Sequence, residues 1–356
     1  MRPGDDDLLR AATCLVRQGR LAEASALLQR GLGAGAASGP RRGLGATLAA
    51  LAGRLHGAGP SPGGPSVDRA PDGGTWRRGT FAGAGGRRDY RLFLPGGQAT
   101  DRRPVVVMLH GCTQTADEFA DATRMNHAAA AAGCIIAYPE QPSAANPQRC
   151  WNWFRAEDQH RETGEPALLA GLTRAIMAEH RGDPARIYVA GLSAGGAAAL
   201  VMAATWPDIY AAVGVHSGLA YGVARDLPAA HEAMRTGAGP AAAVPFVPTI
   251  VLHGDADRTV HPDNARRIVN QAVAAARPAR GPVTEVGRSS GGRAFTRTRH
   301  LAQDGTPLVE AWTVHGTGHA WSGGAAGRRH TDPDGPDAAT AMLDFFLRHR
   351  RPYGPS

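Results

Sequence analysis

A serine hydroxyl is a poor nucleophile until a histidine takes its proton and a buried carboxylate fixes that histidine's tautomer. Candidates for all three stand in the order Ser, Asp, His along the second half of this chain. The serine is Ser193, in Gly191-Leu192-Ser193-Ala194-Gly195. In a chain with 47 glycines the pattern G-x-S-x-G arises by chance about 0.2 times, so the string alone carries little weight. Its flanks decide. A nucleophile elbow needs an apolar strand ending at the motif and a helix starting from it, because a sharp turn lifts the hydroxyl above the sheet and leaves no room for flanking side chains. ARIYVA precedes Ser193 and GGAAALVMAATW follows it. The second match, Gly287-Arg288-Ser289-Ser290-Gly291, lies between VTEV and AFTRTRH, alternating and polar segments that suit a β-hairpin with a glycine-rich turn. Ser289 is therefore read as structural.

The acid and base follow. After the apolar run TIVL comes HGDADRTVHP, which offers Asp255 and Asp257. Asp255, one residue past a strand-end glycine, is suited to bonding the turn backbone, and Asp257, deeper in the loop, is preferred as the acid. VEAWTVHGTGHAWSGG then offers His315, at the strand end, and His319, in a glycine-rich loop able to reach across the sheet edge. His319 is the expected base. MLHGCTQT, after an earlier apolar run, is where an oxyanion donor is expected: the backbone N–H of Cys112, with that of Ala194 as its partner. Gly111 would let the backbone come close, and His110 would position the loop.

These residues need a frame. Eight β-type segments are read at 75–82, 89–94, 105–109, 134–138, 187–190, 212–216, 249–252 and 309–314. Helical segments are read at 116–132, 166–180, 195–206, 262–276 and 338–348. VVVMLH and TIVLHG are apolar without alternation, as strands are when helices cover both faces of a mostly parallel sheet. The expectation is an α/β-hydrolase fold over 75–350 with an eight-stranded sheet and its ligand at the carboxyl ends of the strands. Three long interruptions, at 140–164, 219–247 and 279–306, are expected to cover the site. Upstream, apolar residues three or four apart over 5–32, and again over 44–55, suggest a helical appendage at 1–56, joined by a Gly/Pro/Ser-rich linker at 57–74.

Composition excludes several classes. All 39 basic residues are arginine, in scattered pairs such as Arg41-Arg42 and Arg77-Arg78. A net charge of +8 spread in this way does not point to nucleic acid. No apolar stretch is long enough for a membrane span. The start, MRPGDDDLLR, is acidic where a secretory signal would be basic, so a cytoplasmic location is the default expectation. Four cysteines without a CxxC pair suggest no zinc site.

Taken together, LHGCTQT, CWNWF, IYVAGLSAGG, VLHGDADRTV and GTGHAWSGG resemble the catalytic domain of the polyhydroxybutyrate depolymerase family of esterases, which includes feruloyl and acetylxylan esterase relatives. The resemblance spans about residues 76 to 348. It implies hydrolysis of carboxylic esters through an acyl-enzyme, without metal or cofactor, with the family's motif positions falling on Ser193, Asp257 and His319. Short-chain or 3-hydroxyalkanoate esters are the implied substrates, with feruloyl or acetylxylan esters as the alternative. A noncatalytic binding protein on the same scaffold is the rival from another class. Trp151, Trp153 and Trp321, with His110 and Gly111, are expected to line the substrate pocket. In some relatives cysteines near these motifs are bridged beside the oxyanion loop, which suggests a Cys112–Cys150 disulfide; the acidic start argues against one. Family relatives are often extracellular, so secretion is the second expectation for location. The chain ends soon after its last helix, which suggests a soluble oligomer or short ester in place of crystalline polymer. Oligomeric state is not legible.

Overall fold

The unbroken apolar runs form the middle of a sheet because both of their faces are covered. A computed structural model describes residues 73–83, 85–97, 101–239 and 242–351. The helices expected within 1–56 and nearly all of the 57–74 linker lie outside them. The strands are β1 (Thr75–Gly83), β2 (Gly86–Leu94), β3 (Arg103–Leu109), β4 (Ile135–Pro139), β5 (Gly182–Leu192), β6 (Ala212–His216), β7 (Thr249–Gly254), β8 (Val283–Arg288), β9 (Ala294–Leu301) and β10 (Pro307–Val314). They join in one ten-stranded sheet in the order β1-β2-β4-β3-β5-β6-β7-β10-β9-β8. Neighbours run parallel from β4 to β10, and the outer pairs on both sides are antiparallel. All eight expected strands are present. The hairpin at 279–306 adds β8 and β9 to them and so extends the sheet edge, where sequence reasoning expected a cover over the site.

Alternation along β3 shows how the layers form. Val105, Val107 and Leu109 enter a core shared with α3 (Gly164–Glu179), α4 (Ala194–Thr205) and α6 (Asp263–Ala276). Val106 and Met108 enter a second core with α1 (Ala116–Thr123), α2 (Met125–Ala132) and α7 (Ala338–Phe346). Since successive strand residues point to opposite faces, a strand buried on both sides is apolar at every position. The single helix expected over 116–132 is two. Arg124 takes a left-handed conformation (φ 57°) and caps α1 by donating its N–H to Ala120. The 219–247 interruption contains α5 (Leu227–Thr236), capped by Asp226.

At the junction of β5 and α4, Ser193 is held at φ 57° and ψ −120°, a conformation that costs a non-glycine residue about 1–3 kcal/mol. The turn survives because neighbours give way. A Cβ on Gly195 would overlap the Leu109 carbonyl, and one on Gly191 would overlap the Gly195 backbone. Gly195→Ala should therefore lower stability by about 1–3 kcal/mol or more in urea unfolding. Gly281→Ala, where nothing lies within 4 Å, should be neutral by comparison.

Three buried histidines set the response to acid. Burial pushes His110 and His349 down to about 4 and His216 down to about 3, from 6.5. As pH falls below 6.5 the unfolded chain takes up these protons before the folded one, so their contribution is present at neutral pH and lost across that window. Glu165 has the opposite sign. Burial, and then Asp158, push it up from 4.5 to about 6, so its contribution is lost as pH rises. Three histidines outweigh one glutamate, and the urea midpoint should be lower at pH 5 than at pH 7. An equal or higher midpoint at pH 5 would contradict the burial of these rings.

Candidate active site

Asp257 sits in the loop after β7 with its side chain wholly buried. Oδ1 accepts the N–H groups of Thr259 and Val260, both at 2.9 Å, and Oδ2 accepts His319 Nδ1 at 2.8 Å. His253 Nε2 lies 3.4 Å from the same Oδ2 and donates to the Val260 carbonyl at 2.8 Å. Burial by itself would raise the Asp257 pKa, but the bonds from His253 and His319 and the His319 charge outweigh it and hold the carboxyl well below the usual range. A carboxylate that can only accept forces the His319 proton onto Nδ1 and leaves Nε2 as a base.

Asp255 forms a separate pair. Its Oδ1 accepts the Gly316 N–H at 2.7 Å, and Oδ2 meets His315 Nδ1 at 2.8 Å. These side chains are 41% and 40% exposed, against 0% for Asp257 and 12% for His319. Exposure separates the two pairs, since only the buried one is shielded from competing water.

His216, at the end of β6, links the loop of His319 to the elbow. Its carbonyl accepts the Ser193 N–H at 2.9 Å, and its Nε2 accepts the Ser322 N–H at 3.0 Å. Its ring stacks on Trp321 at 5.1 Å. The loops of His319 and Asp257 are also joined directly, by Ala256 N–H donating to the Thr317 carbonyl at 3.1 Å. Ser193 and the segment that follows His319 are thus anchored to one residue. No hydrogen bond joins the Ser193 hydroxyl to the His319 ring among the described residues. Bonds of this kind commonly close only with substrate in place.

In the loop after β3 the N–H groups on either side of Cys112 are spent. Gly111 N–H donates to Gln114 Oε1 at 2.8 Å and Thr113 N–H to the Gln148 carbonyl at 2.7 Å. Between them, Cys112 N–H has no acceptor among the described residues. Ala194 opens α4, so its N–H has no helical acceptor either. Cys112 is bridged to Cys150. His110 is 0% exposed; its Nε2 accepts the Gln141 N–H at 3.0 Å, so Nδ1 carries the proton and donates to the Gly111 carbonyl at 2.8 Å.

The tryptophans correct the sequence reading. Trp151 and Trp321 are 0% exposed and Trp153 6%, so all three pack in the core instead of lining an open pocket. Trp151 donates to the His110 carbonyl at 3.1 Å, and Trp321 packs edge-on against Phe119. Ser289 lies in the turn between β8 and β9, where its hydroxyl donates to the Asp334 carbonyl and accepts the Arg293 N–H. Gln114, Gln141, His216, His253 and Glu165 were not singled out from the sequence. The closeness of Gln114 to LHGC and of His253 to the Asp257 loop were the available signals. A cavity of about 780 Å³ lies against α6, lined by Thr236, Asp263, Arg266, Asn270 and Gln271. None of the candidate residues borders it. Among the described residues no group of three or more His, Cys, Asp or Glu side chains could hold a metal ion, and no helix is long and apolar enough to cross a membrane.

Poly(3-hydroxyalkanoate) depolymerase C of Paucimonas lemoignei is 34% identical over 230 residues, covering 61% of this chain and 54% of that protein. Feruloyl esterase B of Thermothelomyces thermophilus is 30% identical over 158 residues, covering 44% of this chain and 48% of that protein. The chain spans about half the length of these relatives. Acetyl xylan esterase from Aspergillus awamori matches 77% of this chain and 100% of its own, with a TM-score of 0.60 at 19% identity, a likeness of fold. The family model described as esterase PHB depolymerase matches residues 88–277, more than half of the 356 residues. The chain belongs to the PHB depolymerase family of esterases.

Proposed function

We propose that the protein hydrolyses carboxylic esters through an acyl-enzyme on Ser193. The observation that carries this reading is the buried Asp257–His319 pair, anchored through His216 to a serine on a strained elbow. His319 Nε2 takes the proton of Ser193 Oγ as that oxygen attacks the ester carbonyl. The N–H groups of Cys112 and Ala194 receive the oxyanion, a contribution commonly worth about 3–4 kcal/mol for a single donor. Collapse breaks the bond to the alcohol, which leaves with the proton from His319. Water then gives a proton to His319 and attacks the acyl carbonyl; the acid departs, and the proton returns to Ser193. Asp257 stays ionised throughout and stabilises the imidazolium.

The relatives' names suggest 3-hydroxyalkanoate esters first, with feruloyl or acetylxylan esters as the second reading. Turnover of 3-hydroxybutyrate oligomers against feruloyl and acetylated xylan substrates separates them. The disulfide favours an oxidising compartment. Ser193→Ala should lower kcat for a p-nitrophenyl short-chain ester by at least about 10³-fold with the fold intact. Asp257→Asn should lower it by about 10⁴-fold, while Asp255→Asn leaves it within about threefold. Wild-type turnover in the Ser193 variant would reject the assignment.

A further inference from the structure

Glu165, at the start of α3, is a buried carboxylate met by three hydrogen-bond donors. It is 8% exposed. Its Oε2 accepts the Asn152 N–H at 2.8 Å; its Oε1 accepts Asn152 Nδ2 at 2.8 Å and, at shorter range, Gln141 Nε2. Arg88, itself 7% exposed, brings a guanidinium nitrogen to 3.6 Å. Burial pushes Glu165 up to about 6, so it is still ionised at neutral pH and can accept from every one of these groups.

The partners of Glu165 lead to one loop by three routes. Gln141 donates its backbone N–H to the His110 ring, which bonds the Gly111 carbonyl. Asn152 follows Trp151, whose indole holds the His110 carbonyl. The side chain of Gln141 also donates to the carbonyl of Cys150, the residue bridged to Cys112. Gln141 Oε1 is buried without a partner, so the amide is oriented by what its Nε2 reaches. Turned over, it would point an oxygen at the Glu165 carboxylate.

We propose that Glu165 is a positioning residue for the oxyanion donor: through Gln141 and Asn152 it fixes the Cys150 end of the Cys112–Cys150 bridge and, by way of the Gln141 backbone and the Trp151 indole, the ring and the carbonyl of His110, and so aims the Cys112 N–H. This rests on the esterase reading above. Glu165 touches no reacting atom, and its effect is on the transition state, where the carbonyl oxygen has moved into the hole, more than on the bound ester. A buried carboxylate is suited to the task because it alone accepts from several donors without offering one of its own.

Glu165→Gln keeps the shape and sets an NH₂ against donors. Its kcat for p-nitrophenyl butyrate should fall by about tenfold or more, less than the loss of a whole donor. KM should stay within twofold, and Ki for an arylboronic acid, which mimics the tetrahedral adduct, should rise in step with the fall in kcat. Gln141→Leu, which removes the side-chain link and keeps the backbone bond to His110, should show the same split and decides the matter if the first variant does not fold. Melting temperature and circular dichroism are measured alongside. Wild-type kcat and boronate Ki in the folded variants, with or without a lower melting temperature, would overturn the proposal and reduce Glu165 to a structural role. Ser193→Ala serves as the control: wild-type activity there would sink the esterase reading itself, whereas an inactive Ser193→Ala beside fully active Glu165 and Gln141 variants would sink only this inference.

Discussion

A carboxylate taken out of water must be met by N–H groups, and at the carboxyl ends of this sheet two such carboxylates dictate where the surrounding chain goes. The cost of an uncompensated buried charge is several kcal/mol, a large fraction of a domain's whole stability. Asp257 meets the demand with two backbone N–H groups and two histidine rings. Glu165 meets it with Asn152, Gln141 and Arg88. In each case donors from a sheet strand, His253 on β7 and Arg88 on β2, join donors from the loops beside the candidate site, so satisfying the charge ties those loops to the sheet. Asp257 orders the ring of His319, the proposed base; Glu165, in the inference above, orders the chain around the Cys112 N–H.

His216 ties one of these networks to the nucleophile. Its backbone holds the elbow and its ring holds the segment after His319, so one residue ties together the loops of the proposed nucleophile and the proposed base. Its burial keeps it neutral, which suits a ring that must accept an N–H at Nε2. A protonated His216 could not make that bond. The same logic applies to His110, whose Nε2 accepts from Gln141. Neutral buried histidines thus serve here as two-ended struts: Nε2 accepts, while Nδ1 meets the Ser217 hydroxyl at 3.1 Å in His216 and the Gly111 carbonyl in His110.

Much of this was legible because it follows from local physics. The runs VVVML and TIVLHG betray strands covered on both faces, and the flanks of Ser193 distinguish an elbow from the hairpin that holds Ser289. Asp255 was set aside as a residue that bonds its own strand-end turn; the N–H it accepts is that of Gly316, in the loop after β10, a contact between distant segments. What stayed hidden depends on contacts between distant segments. Glu165 and Gln141 are 24 residues apart, and no periodicity relates them. The tryptophans were misjudged for a similar reason: size and nearness to motifs suggested a pocket wall, while their rings fill the space beneath the loops. The 279–306 hairpin was recognisable as a hairpin, but strand pairing across a sheet edge leaves no mark in either segment alone.

The account turns on where a reacting carbonyl oxygen would sit relative to two backbone N–H groups. A crystal structure of the protein after reaction with a fluorophosphonate ester measures this directly. The account predicts phosphorus bonded to Ser193 Oγ and a phosphoryl oxygen about 2.7–3.1 Å from the nitrogens of both Cys112 and Ala194. An adduct on another side chain, or a phosphoryl oxygen turned away from both N–H groups, would contradict it.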